Sequence, residues 1–229
     1  MDTLSDFLTF MSAGPAIIGL ILVAPIIFLT ADWRLSLSAL LVQSILVGTI
    51  LFRFVRPEVA VVKILVGVLA MLILYLTARR IHETRAAQTR PAPGGRLRGL
   101  QLGWGAGPLG LPLRFLAFLL AALALFRLYQ SLRPTIIPGD VVIAACWLGG
   151  MGLLGLVLSG EPLRVAPAAL TLLSAFDLAY AGLEQDLAVV GLFGALTLLA
   201  ALAFSYLAAV EGLATEPAPT PDDEEEAGS

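Results

Sequence analysis

Seven long apolar runs, divided by short breaks rich in proline, glycine and charge, constrain this chain more than any other feature. They lie at about 14–31, 35–54, 57–78, 114–132, 139–159, 163–183 and 187–210. A helix needs about 20 mostly apolar residues to cross the hydrocarbon core of a bilayer, and each run is close to that length. Lipid offers no hydrogen bonds, so a spanning backbone must satisfy its own N–H and C=O groups, as a helix does. The expected fold class is all-α: a polytopic membrane helix bundle of seven transmembrane helices. Composition agrees. The chain is 59% apolar and only 14% charged, with mean hydropathy +0.93. Soluble domains carry roughly 25% charged residues, so an ordinary water-soluble enzyme is excluded.

The breaks organise the rest. Asp32-Trp33-Arg34, Arg56-Pro57-Glu58, Arg133-Pro134, Pro138-Gly139-Asp140, Ser159-Gly160-Glu161-Pro162 and Glu184-Gln185-Asp186 separate the runs. Between the third and fourth runs, Arg79 to Leu113 holds Arg79, Arg80, Arg85, Arg90, Arg96 and Arg98 with several prolines and glycines, including Gly103-Trp104-Gly105. This reads as an exposed basic loop with Trp104 at the interface. Pro25 falls inside the first run, where it frees a carbonyl and favours a kink. Pro167 stands early in the sixth, as at a helix start. The segment Met1 to Asp6 carries Asp2 and Asp6 and no Lys or Arg, whereas a signal peptide opens on a basic region. The first run is therefore expected to be retained as a span. The last residues are Pro-rich, then acidic from Asp222 to Glu226, and are expected to be disordered. Without those five acids the formal charge changes from −3 to +2.

Arginine placement orients the chain, because cytoplasmic loops collect Lys and Arg. With the long basic loop inside, Arg34, Arg79, Arg80, Arg85, Arg90, Arg96, Arg98, Arg114 and Arg164 are all cytoplasmic. Only Arg53, Arg56 and Arg133 fall outside. This orientation places the chain in the cell membrane with its N-terminus outside and its C-terminus cytoplasmic. The runs also group. A shift of 130 residues overlays Arg34 on Arg164 and Gly19 on Gly149, and each arginine marks a cytoplasmic turn between the first and second helix of a triplet. The expected layout is a 3+1+3 arrangement of parallel repeats. It comprises a first three-helix unit (1–80), a basic cytoplasmic loop (81–113), a linker helix (114–138), a second three-helix unit (139–211) and the acidic tail (212–229).

Intramembrane polar residues are the candidate site. Lys63, Asp177 and Arg127 each lie about 7–9 Å below the external boundary at 1.5 Å per residue. A charge at that depth costs on the order of 1–3 kcal/mol unless it is paired or hydrated. Two arrangements meet that cost. Asp177 pairs with Lys63 or Arg127, in a half-channel or at a subunit contact. Alternatively, Lys63 and Arg127 snorkel outward while Asp177 bonds to a neighbouring helix. Gln43, near the middle of the second run, either bridges helices through its amide or lines a hydrated path. Gly149-Gly150-Met151-Gly152 with Gly155 suits close helix packing. Cys146, the single cysteine, reads as a buried inert thiol, and His82, beside Glu83, as a solvated surface side chain. The sequence holds no His/Cys cluster, nucleophile–base pair, phosphate loop, dinucleotide fingerprint or basic aromatic patch. No catalytic, cofactor or metal residue is therefore assigned, and no nucleic-acid partner is expected.

In the first unit, Trp33-Arg34-Leu35-Ser36, then Gln43-Ser44, Lys63 and Tyr75-Leu76-Thr77-Ala78-Arg79 resemble the hydrogenase-4 component E subunit, a relative of the complex I K subunit. The second unit is similar in layout, with Leu163-Arg164 after its cytoplasmic turn. The resemblance covers most of 15–80 and 140–210. It implies a non-catalytic membrane subunit packed against antiporter-like subunits of a hydrogenase or complex I-like assembly, supporting or bracing proton translocation. The chain departs from the family at two places. Leu173-Ser174 stands where the family carries a Glu-Asn pair, and no acid occurs near Ala195. Both departures argue against direct pumping by this chain. The alternative is a small-solute transporter, since a 3+1+3 layout is also that of SWEET-type sugar carriers. The chain lacks their Pro-Gln motif and midplane asparagines. The orientation predicts that cysteines introduced at Gln88 and Ala227 react with an impermeant maleimide from the same side of the membrane, as sided labelling of intact cells and inverted vesicles will show.

Overall fold

Within each triplet, successive helices turn back on one another because only short breaks separate their apolar runs. The computed structural model describes residues 13–30, 32–54, 57–88, 110–131, 139–159, 162–183 and 186–214. Those residues form seven helices: α1 (Ala13–Leu29), α2 (Trp33–Phe54), α3 (Pro57–Gln88), α4 (Gly110–Ser131), α5 (Gly139–Leu158), α6 (Pro162–Ala181) and α7 (Leu187–Ala214). The punctuation read from the sequence acts at the helix ends. Pro57 and Pro162 open α3 and α6, where proline's missing N–H has no intrahelical partner to lose. Asp186 caps α7 by accepting the Ala188 N–H at 3.0 Å.

The helices pack as two facing rows. In one row α2 lies between α1 and α3; in the other α6 lies between α5 and α7. Across the rows α1 meets α5, α2 meets α6 and α3 meets α7. Two apolar clusters fix the directions. One joins Ala16–Ala24 of α1, Val47–Leu51 of α2, Val59 and Ala60 of α3, Val141–Met151 of α5, Ala175–Ala181 of α6 and Val190 of α7. The other joins Ile27, Leu37, Leu40, Ala70–Ala78, Ala166, Leu170 and Ala201. Thus α1, α3, α5 and α7 start at one end of the bundle, and α2 and α6 finish there. Corresponding helices of the two rows run the same way. At that first end stand Arg53, Glu58, Asp140 and Asp186; at the second stand Asp32, Arg34, Arg79, Arg80, Glu83, Arg164 and Glu211.

The outer face of the bundle is apolar as well as its core. Large apolar side chains face outward along stripes of helical spacing: Ile18, Leu22 and Ile26 on α1, Leu65, Leu69, Leu72 and Leu76 on α3, and Leu192, Leu196 and Leu199 on α7. Polar side chains face inward instead, among them Gln43, Ser44, Lys63, Thr171, Ser174, Asp177 and Thr197. Only a solvent poorer in hydrogen bonds than the protein interior makes that arrangement favourable. Five helices, α2, α3, α5, α6 and α7, are long and apolar enough to cross a membrane, and α1 carries a shorter apolar stretch, Pro15–Ile27. Among the described residues the only regular structure is helical, and the apolar helices are those of a multi-pass membrane protein.

Several boundaries differ from the sequence reading. The third helix does not stop at residue 78 but runs to Gln88, so the basic loop opens with further helical turns. Arg79 and Glu83, one turn apart, form an exposed ion pair at 2.6 Å that suits continuation of the helix. The fourth helix begins at Gly110 rather than 114. Arg114 and Arg127 lie within it. It packs outside the rows, against α5 and α1. Pro167 lies within α6, not at its start. Pro25 is buried inside α1, which continues past it. Cys146 is half-buried rather than buried. His82 falls on α3. The signal-peptide reading of residues 1–6, Trp104 and the acidic tail lie outside the described residues.

Glycine sets the closest approach of the second row. A Cβ on Gly152 of α5 would sit 2.8 Å from the Leu172 backbone nitrogen and 2.9 Å from its Cα, both on α6. Backbone cannot move aside as a side chain can. Gly152→Ala is expected to cost about 1–3 kcal/mol through overpacking. Gly191→Ala, where nothing lies within 4 Å, should be neutral or slightly stabilising, since alanine favours a helix over glycine. Thermal unfolding of both variants in detergent checks the contrast.

Candidate functional site

The interior polar residues converge between the rows. Helices α2, α3, α7 and α6 form a four-helix square, in which α2 and α7 each touch both α3 and α6. Lys63 of α3 and Asp177 of α6 meet across this square: Lys63 Nζ lies 2.5 Å from Asp177 Oδ2. Each side chain is only 4% exposed. Lys63 is the seventh residue of α3, and Asp177 stands one turn before the end of α6, so both are near the first end of the bundle. The shared depth read from the sequence and the antiparallel course of α3 and α6 bring them level.

A second polar link lies deeper. Gln43, midway along α2, has no exposed surface. Its Nε2 lies 3.3 Å from Thr171 Oγ1 on α6. The Thr171 hydroxyl donates to the Pro167 carbonyl at 2.8 Å, so the Gln43 amide N–H donates to the Thr171 oxygen. Both links join the first row to the second, and both end on α6. Thr171, Ser174 and Asp177 are buried and three residues apart, which puts them along one side of α6. The packing around them is close. A Cβ on Gly67 of α3 would meet Ser44 Cβ of α2 at 2.5 Å, and one on Gly194 of α7 would meet Val66 Cγ2 of α3 at 3.2 Å.

Of the four intramembrane candidates, the structure therefore joins Lys63 to Asp177 and gives Gln43 a partner in the other row. Arg127 is the exception. It is exposed on α4 among Leu123, Phe126 and Leu128, and α4 packs against α1 and α5 rather than α6. Pairing of Arg127 with Asp177 is thus replaced by an outward-facing guanidinium one turn from its helix end. The two turn arginines hold corresponding places near the starts of α2 and α6. Arg34 is exposed and its guanidinium lies 5.3 Å from the Trp33 ring centroid; Arg164 is half-buried. Trp33 in turn stacks at 5.7 Å on Tyr75 of α3. Ser36 ties the same corner to α1, donating to the Ile27 carbonyl at 2.9 Å.

Thr171 was not singled out from sequence. Its signal was there: three hydrogen-bonding side chains at intervals of three residues in an otherwise apolar helix mark one polar side. Among the described residues no group of three or more His, Cys, Asp or Glu side chains could hold a metal ion. The chemistry of this site is that of a closed ion pair and an amide–hydroxyl bond. No known protein family, curated protein or solved structure matches the chain.

Removing one partner of a buried ion pair leaves the other charge without compensation, at a cost of about 3–5 kcal/mol. Lys63→Met is expected to destabilise the detergent-solubilised protein on that scale. Adding Asp177→Leu to it should recover most of the loss, and a thermal-unfolding cycle of the two substitutions reads the difference.

Proposed function

We propose that the chain is a non-catalytic integral membrane subunit that braces a hydrogenase-4 or complex I-like assembly, packing against antiporter-like subunits beside their ion path. In this reading it sits in the cell membrane in a 3+1+3 layout, N-terminus outside and C-terminus cytoplasmic, with α4 as the linking helix. The observation that carries the bracing role is the pair of row-to-row links, Lys63–Asp177 and Gln43–Thr171. Each consumes the polar groups that a relay would need to keep free. The resemblance of Trp33-Arg34-Leu35-Ser36, Gln43-Ser44 and Lys63 to the component E family supports the choice of assembly. The motif residues have bracing work to do, since Trp33, Ser36, Gln43, Ser44 and Lys63 all make contacts between helices. The arginines support this sidedness: Arg34, Arg79, Arg80 and Arg164 stand at one end of the described helices, against Arg53 at the other. The outward leucines of α3 and α7 supply apolar area for lipid or for a neighbouring subunit.

The parallel course of the two rows also favours a second reading, a SWEET-like carrier of small solutes, whose repeats are related in the same sense. The Gln43–Thr171 bond weighs against it, because that bond occupies the midplane space between rows where a solute would bind.

Purification of the native chain from membranes in mild detergent separates the two readings. The expected result is co-purification with antiporter-like membrane subunits and a hydrogenase-type core. Recovery as a monomer or homodimer that moves sugar into vesicles would overturn the subunit reading.

A further inference from the structure

The least apolar of the five spanning helices carries both row-to-row links. The apolar stretch of α6 has a mean hydropathy of 1.3, against 2.1 to 2.7 for those of α2, α3, α5 and α7. It holds Arg164 near its start and then Thr171, Ser174 and Asp177, all three buried. The partners that receive Thr171 and Asp177 are Gln43 and Lys63, in helices that precede α6 in the chain. By contrast α3, which carries Lys63, has the highest hydropathy of the five. The two helices are therefore unequal: α3 tolerates its charge, and α6 depends on a partner for its own.

We infer that α6 is a conditional span, held across the membrane by the first three-helix unit, with Lys63 as the group that admits Asp177 to the lipid interior. An ionised carboxylate within a membrane helix is strongly disfavoured unless it is paired. Synthesis runs from the N-terminus, so α3 is present before α6 emerges, and Lys63 is in place to receive the carboxylate. The pair thus makes insertion of the second unit depend on the first, an assembly order written into one ion pair. This dependence holds whichever larger complex the chain joins.

Sided labelling of the full chain tests it. In a Cys146→Ser background, a single cysteine is placed either at Leu183, the exposed residue after α6, or at Ser159, just after α5. With α6 across the membrane, an impermeant maleimide reaches the two positions from opposite sides. In Lys63→Met, Asp177 loses its partner, and the fraction of Leu183→Cys labelled from the Ser159 side should rise at least fivefold. Adding Asp177→Leu to Lys63→Met should return that fraction to the starting value, because the helix no longer carries an acid. Asp177→Leu alone should label as the unsubstituted chain does. A rise of less than fivefold in Lys63→Met, or failure of the double substitution to restore sidedness, would overturn the inference. Lost thermal stability with unchanged sidedness would mark the pair as a packing contact only.

Discussion

Lipid cannot solvate a charge, and the arrangement of this protein follows from that single constraint. A carboxylate and an ammonium inside the bundle have only each other to answer them, so Lys63 and Asp177 must meet. Their meeting sets which helices can be neighbours. Helices α3 and α6 belong to different rows, and the pair spans the centre of the square that α2 and α7 complete. The Gln43–Thr171 bond repeats the logic with neutral groups at mid-depth. Burying apolar surface does not by itself choose among helix pairings in lipid, where tails are as apolar as leucine. Polar links and small residues make the choice here. Gly152 lets α5 and α6 approach backbone to backbone, and Gly67 lets Ser44 seat against α3.

Much of this was legible in the amino-acid order. Pro57, Pro162 and Asp186 belong to the breaks read between apolar runs, and each stands at the start of a helix. The common depth of Lys63 and Asp177 followed from counting residues along antiparallel helices, and the side chains do come together. Three things were harder to see. The end of α3 was obscured because arginine is as compatible with a helix leaving the lipid as with a loop, and only the Arg79–Glu83 spacing hinted at the former. Arg127 lay at the right depth but on the wrong helix, and depth carries no information about azimuth. Thr171 was hidden by the ambiguity of hydroxyls, which satisfy themselves on their own backbone as readily as they reach a neighbour.

The length of α3 has a mechanical consequence. Its apolar stretch ends at Ile81, but the helix continues to Gln88. At 1.5 Å per residue that overhang is about 10 Å, more than the roughly 5–7 Å occupied by one layer of lipid headgroups. The helix therefore emerges as a short rigid post. Arg79 and Arg80 stand at the end of the apolar stretch and Arg85 on the overhang, so the arginines of this helix bracket the boundary where lipid tails give way to headgroups.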